Sequence, residues 1–221
     1  MKPMLLINFK TYEQGTGKKA LALAKSSDSI ARKTGVNIVL SVQPTDLKGI
    51  AGNVSIPVYA QHMDPIKPGS HTGWILPEAL KDAGAKGTLI NHSEHNIDKK
   101  SVSLNIGRCR ELGLVSVCCA ATPRIAKELA AFGPDFIAIE PPELIGGDVS
   151  VSEARPEIIS DTVKAVKKVN PKVRVLCGAG VNSTEDVKKA RELGAEGVLV
   201  ASAIVKSNNP DKVIKALIEG F

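Results

Sequence analysis

Three side chains and a run of small residues in this chain are spaced so that they could move a proton on a small anionic molecule. Ile137 to Gly147 reads IAIEPPELIGG, an apolar run that ends in one carboxylate, Glu140, followed by a loop opened by Pro141 and Pro142 and closed by Gly146 and Gly147. Unbroken apolar character over Ile137, Ala138 and Ile139 is the pattern of a strand buried on both faces, which puts Glu140 at its C-terminal end. The prolines stiffen the loop's entry and the paired glycines free its exit, the arrangement of a hinged lid over a base. A solvated Glu on an ordinary connection would look the same if it stood alone.

It does not stand alone. Leu5-Leu6-Ile7 runs into Asn8-Phe9-Lys10, which brings an amide and an ammonium to a strand end, where a lysine can hold phosphate or stabilise an oxyanion. Gly87 to Ile90 runs into Asn91-His92-Ser93-Glu94. An imidazole beside a helix start can be held neutral and donate a proton, so His92 is singled out, with His62, His71 and His95 read as ordinary loop histidines. Cys177-Gly178-Ala179-Gly180-Val181 and Val200-Ala201-Ser202-Ala203 end two further strands with side chains small enough for a phosphate to reach backbone N–H groups. No His, Asp or Glu spacing matches a metal motif, so no metal is expected.

Such groups converge only if the strands that carry them lie side by side. Eight short apolar runs alternate with amphipathic stretches: Met4 to Asn8, Asn37 to Leu40, Pro57 to Ala60, Gly87 to Ile90, Val115 to Cys119, Phe136 to Ile139, Val173 to Cys177 and Gly197 to Val200. Helical patterns lie between them at Lys18 to Lys33, Pro77 to Ala83, Ser101 to Leu112, Pro123 to Ala131, Pro156 to Val169, Thr184 to Leu193 and Pro210 to Ile218. Ser183 to Asp186 supplies an N-cap with early acids, and Gly113 and Gly194 follow helix ends. Eight βα units predict an α/β chain folded as a single (β/α)8 barrel over residues 1–221. A doubly wound open sheet also alternates strand and helix. It is disfavoured because no G-x-G-x-x-G opens the first helix and polar residues close nearly every strand.

Composition narrows the partners. The chain is 43% hydrophobic and carries a net charge of +6, with aromatics at only 3%. That balance points to small acidic substrates and away from nucleic acid. No apolar run approaches the roughly 20 residues of a membrane span, and Met1 to Phe9 is too short for a signal peptide, so a cytoplasmic protein without a membrane partner is expected. Cys109, Cys118, Cys119 and Cys177 read as buried free thiols, with 118 and 119 on opposite faces of one strand.

Taken together, INFK (Ile7 to Lys10), AQHMDPIKPGSHTG (Ala60 to Gly73), NHSE (Asn91 to Glu94), EPPELIG (Glu140 to Gly146), LCGAGV (Leu176 to Val181) and VAS (Val200 to Ser202) resemble the triosephosphate isomerase family, and within it the short archaeal branch, over essentially the whole chain. The resemblance implies a TIM barrel and a cofactor-free isomerisation of triose phosphates through an enediolate. It implies that Glu140 is the base, His92 the electrophile and Lys10 a stabiliser of negative charge, with Glu94 in support. Substrate-binding positions carried over by it are Asn8, Phe9, Lys10, Ile145, Gly146, Gly180, Ala201 and Ser202. It also implies a homotetramer, with Lys67 to Trp74 reaching a neighbouring subunit. The lid's first hinge departs from many relatives in having Pro142-Glu143 in place of a tryptophan, and Gly147-Asp148 follows where Thr-Gly is common. Another phosphate-binding barrel enzyme or a non-catalytic phosphometabolite sensor would share the small-residue strand ends, but not the joint placement of Lys10, His92 and Glu140.

Overall fold

The computed structural model describes residues 2–141 and 155–221. Eight strands, β1 (Met4–Asn8), β2 (Asn37–Val42), β3 (Val58–Ala60), β4 (Gly87–Ile90), β5 (Val115–Ala120), β6 (Phe136–Ile139), β7 (Arg174–Cys177) and β8 (Gly197–Val200), form one closed barrel in chain order. Every neighbouring pair is parallel, and β1 closes the ring by pairing Met4 with Asn37 of β2 on one side and with Gly197 of β8 on the other. A Cβ at Gly197 would stand 2.3 Å from the Met4 carbonyl oxygen, so only glycine lets these two strands meet.

Strand period decides the two layers of the core. Side chains alternate across a strand, so Leu6, Val39, Tyr59, Leu89, Val117, Ala138, Leu176 and Leu199 fill the barrel interior. Their neighbours Leu5, Ile7, Ile38, Leu40, Ile137 and Val175 face outward into the larger cluster beneath the helices. Cys118 belongs to the outer layer and Cys119 to the inner one, as the alternation predicts, and all four cysteines are buried and free.

Helices α1 (Gly17–Thr34), α2 (Pro44–Ala51), α3 (Pro77–Asp82), α4 (Lys99–Leu112), α5 (Pro123–Ala130), α6 (Pro156–Val169), α7 (Thr184–Glu192), α8 (Ser202–Val205) and α9 (Pro210–Ile218) pack outside or cap the strand ends. α6 and α9 have the bounds that the pattern predicts. α2 is not marked by that pattern, because it spans 8 residues including Gly49 and buries only Leu47 and Ile50. α3 is trimmed to 6 residues and α8 to 4, which fits the short chain. At α7, Ser183 accepts from the Asp186 amide while Asp186 reaches back to the Ser183 amide, a capping box that fixes the loop leaving β7. None of the described helices is long and apolar enough to cross a membrane.

Asp28 ties α1 to the entry of β3. Its Oδ1 accepts from the Ser55 amide and hydroxyl and from the Ile56 amide. Burial raises its pKa, but these hydrogen bonds and the Arg32 charge outweigh burial and hold the carboxyl below its ordinary value. A lowered folded-state pKa contributes stability that is complete above the unfolded value, near pH 4, and is lost as pH falls through the folded value. Asp28→Asn should therefore be less stable than wild type at pH 6, and the difference should shrink at pH 3 in urea titrations. An equal loss at both pH values would show that charge is not what Asp28 contributes.

Candidate active site

The polar side chains singled out from the sequence stand at or just beyond the C-terminal ends of the strands, because each apolar run stops where the barrel wall stops. One cavity at this mouth is lined by Asn8, Lys10, His92 and Glu140 on one side and by Gly178 to Asn182 and Leu199 to Ala203 on the other. Parts of the chain as remote as β1, β4, β6, β7 and β8 meet there.

Glu140 follows β6 and is 3% exposed. Its amide donates to the Ala120 carbonyl at 2.9 Å, extending the β5–β6 ladder so that the carboxylate is held by strand geometry. Oε1 lies 3.5 Å from His92 Nε2, and Oε2 has no hydrogen-bond partner among the described residues. A buried carboxylate oxygen with no partner is costly, and such atoms mark functional positions. The Cys119 thiol faces this carboxylate. Burial first, then the Glu140 charge, push that thiol well above its usual pKa, so it stays protonated. Gly178 provides the seat: a Cβ there would come within 2.6 Å of Glu140 Cγ and 3.1 Å of the Ile139 carbonyl oxygen.

His92 is 8% exposed, and its Nδ1 accepts the Glu94 amide at 3.1 Å. A backbone N–H can only donate, so Nδ1 carries a lone pair and the ring proton sits on Nε2, facing Glu140. The amide that sets this tautomer differs from the expected source. It comes from a turn closed by the His95 amide on the His92 carbonyl, while α4 begins only at Lys99 behind its own cap, Asp98. The intervening residues Asn96 to Asp98 separate the imidazole from the helix start.

Lys10 has φ 47° and Asn91 has φ 61°, the positive-φ residues other than glycine among those described, and both adjoin the mouth. Left-handed backbone at a lysine is unfavourable and persists only where the surroundings enforce it. Here Asn8 Oδ1 accepts the Lys10 amide at 3.0 Å, and Gln61 Nε2 donates to the Lys10 carbonyl at 3.0 Å and to Asn8 Oδ1 at 3.3 Å. The Lys10 ammonium pairs with Glu94 at 2.7 Å, in a side chain that is 11% exposed. Asn91 reaches the Cys119 carbonyl at 3.1 Å and accepts the Ile97 amide, so it anchors the turn that holds His92.

The cradle opposite is built from backbone. Gly180 has φ 65°, and the following loop is pinned by the Asn182 and Ser183 amides on Asp186 Oδ2, each at 2.9 Å. Ala201 caps α8, its carbonyl taking the Ile204 and Val205 amides and leaving those of Ser202 and Ala203 at the open end of the turn. These N–H groups and the Lys10 ammonium make the mouth a place for an anion.

Several sequence expectations need qualification. Phe9 does not present its side chain to the cavity; it is fully buried in the outer core, because in a strand-like run its neighbours Asn8 and Lys10 take the inward direction. Ile145 and Gly146, and the lid read from Glu140 to Gly147, lie outside the described residues beyond Pro141. His62 and His95 are more than loop histidines: their rings stack at 4.1 Å, and they line a second cavity with Lys10, His92 and Glu94. Burial lowers the His62 pKa against the opposing pull of Asp64. The grip of Gln61 on Lys10, the anchor that Asn91 makes to β5 and the seat that Gly178 gives Glu140 carry no signal in the sequence until their neighbours are in place. Among the described residues no group of three or more His, Cys, Asp or Glu side chains could hold a metal ion.

Comparison with known proteins bears on what this mouth does. The family model described as triosephosphate isomerase matches residues 3–217. The chain is 49% identical over 216 residues to the triosephosphate isomerase of Methanocaldococcus jannaschii, covering 98% of this chain and 99% of that one. It is 48% identical over 217 residues to that of Methanothermus fervidus, covering 98% of each, and 47% identical over 215 residues to that of Archaeoglobus fulgidus, covering 97% and 96%.

Proposed function

The chain belongs to the triosephosphate isomerase family, and from that premise we propose that Glu140 is the base and His92 the electrophile of its reaction. The reaction interconverts dihydroxyacetone phosphate and D-glyceraldehyde 3-phosphate by moving one proton between adjacent carbons and one between their oxygens. The observation that carries the residue assignment is the tautomer of His92. With Nδ1 committed to the Glu94 amide, Nε2–H points into the cavity that Glu140, Asn8 and Lys10 share.

With the phosphate on the amides around Gly180, Ala201 and Ser202, and Ile145 and Gly146 assigned to the same phosphate, the reacting carbons come up against both Glu140 and His92. Glu140 takes the carbon-bound proton through the lone pairs left open on its buried carboxylate. The resulting enediolate places charge on the oxygens, which the Nε2–H of His92 and the Lys10 ammonium stabilise, Asn8 orienting the lysine. His92 passes a proton from one oxygen to the other, and Glu140 returns its proton to the neighbouring carbon. A carboxylate base paired with a neutral imidazole is the arrangement for which this family is known. No cofactor enters these steps.

The test is isomerisation of glyceraldehyde 3-phosphate in D2O, coupled to a dehydrogenase that consumes dihydroxyacetone phosphate. Deuterium should appear on the product carbon, because the carboxyl exchanges with solvent before it returns its proton. Turnover without any deuterium would mean that the hydrogen moves without reaching solvent, and wild-type turnover by Glu140→Gln would remove the base from the mechanism.

Gly178→Ala should displace the Glu140 side chain, since the new methyl occupies the space of its Cγ. A shift of about 1 Å predicts a loss of roughly 10²-fold in kcat. A lower melting temperature with unchanged kcat would reduce Gly178 to a packing role.

The assembly belongs to the same proposal. One domain over residues 1–221, acting in the cytoplasm as a homotetramer without nucleic-acid or membrane partners, accounts for the trimmed helices and for Trp74 and Leu104, which are 56% and 48% exposed in the single chain. A monomer mass by light scattering at micromolar concentration would overturn the tetramer.

A further inference from the structure

The opposite end of the barrel, where the strands begin, holds a cavity of about 690 Å³. That volume lies within the range of small-molecule sites, about 300–1,000 Å³. The base of the cavity is aromatic: Tyr59 and Phe136 belong to the barrel's interior layer and both line it. The rim is cationic, with Arg110, Lys172 and Arg174 set against the single carboxylate of Asp135.

These groups are already positioned. The Arg174 guanidinium lies 4.5 Å over the Phe136 ring and bonds Glu196 at 2.9 Å, which offsets its charge. Arg110 is oriented by the Phe132 and Gly133 carbonyls, each at 3.3 Å, contacts that leave its charge uncompensated, and neither it nor Lys172 forms an ion pair among the described residues. Asp135 spends one oxygen on the Ser116 amide and hydroxyl, each at 2.8 Å. Tyr59 is 3% exposed and lines the cavity. Burial first, then the Asp135 charge, raise the Tyr59 pKa, so the phenol stays a donor. A phenol donor at the base of a cavity with an aromatic wall and surplus cations on its rim makes a site for a molecule that is flat at one end and anionic at the other.

We propose that this floor cavity binds a small aromatic anion, its ring against Phe136 and Tyr59 and its carboxylate or phosphate between Arg110 and Lys172. It is separate from the catalytic mouth, so its ligand does not compete with triose phosphate.

The experiment is calorimetric titration of the full chain with adenosine 5′-monophosphate, with indole-3-acetate and with inorganic phosphate, the catalytic mouth being saturated with 2-phosphoglycolate. Saturable binding of either aromatic anion is expected, and the arm that binds tells whether the site reads phosphate or carboxylate. Lys172→Glu should weaken that binding by about tenfold or more and Tyr59→Phe by about threefold, as expected for losing a charge-assisted and a neutral hydrogen bond. Isomerase activity of Lys172→Glu should equal wild type. The proposal is overturned if neither aromatic anion binds at millimolar concentration, if inorganic phosphate binds as tightly as the aromatic anions, or if both variants bind like wild type.

Discussion

Glu140→Gln is expected to lower kcat by about 10³-fold while KM changes by no more than about threefold, because the substitution removes the proposed proton acceptor and leaves the proposed phosphate cradle intact. The side chains are nearly isosteric, and the buried position, 3% exposed with Oε2 unpartnered, tolerates a neutral amide. The variant should therefore melt at or above the wild-type temperature, since a buried carboxylate with one oxygen unpartnered has been replaced by a neutral group. That pairing of results separates a catalytic role from a structural one: a residue that merely braced the mouth would lose stability along with activity. Glu140→Asp gives the complementary measurement. It keeps the charge but withdraws it by one methylene from His92 and from the space in front of Gly178, and a displacement of this order costs roughly 10²-fold in rate. If Gln and Asp fell equally in kcat and rose equally in KM, Glu140 would be acting in binding and the base would have to be sought elsewhere at the mouth.

The barrel was legible in the sequence because its physics is local and repeated. A parallel strand buried on both faces must be apolar throughout, so β4, β6 and β8 have the bounds of their apolar runs, and α6 is marked by its period and by Pro156 in its first turn. Glu140, His92 and Lys10 were legible for the same reason: a titratable residue that interrupts an apolar run at its C-terminal end is conspicuous. What could not be read is whatever depends on two segments meeting. Gln61 holds Lys10 in its left-handed conformation from 51 positions away, and Gly178 matters only because Glu140 lies against it. The source of the His92 tautomer was misplaced for a subtler reason. His-Ser-Glu looks like a helix start, but the chain first turns at His95 and Asp98 is the residue that caps α4. Phe9 is the converse case: its side chain turns into the outer core, so any part it has at the mouth is through its backbone.

Lys10→Met should affect binding and chemistry together, unlike Glu140→Gln. The ammonium is 11% exposed at the mouth and pairs with Glu94, whose side chain is 57% exposed, so the existing pair is half-solvated and contributes little to stability. Its value lies in the dianion that would enter. Methionine preserves the stem and its packing, while the Gln61 and Asn8 contacts that hold residue 10 act on its backbone and survive the change. Only the charge is lost. A charge-assisted hydrogen bond is worth about 1.5–3 kcal/mol, which predicts a rise of tenfold or more in KM and in the inhibition constant of inorganic phosphate. Charge that develops on the enediolate oxygens adds a further loss of about 10²-fold in kcat. The melting temperature should move by only a degree or two, since Glu94 returns to solvent without penalty. Ionic strength supplies the decisive control: the wild-type KM should rise with salt, and the variant's should rise less, because part of the attraction being screened is gone. A variant with normal KM and normal phosphate inhibition would place the ammonium away from the anion, leaving the amides of Gly180 and Ser202 to hold the phosphate by themselves.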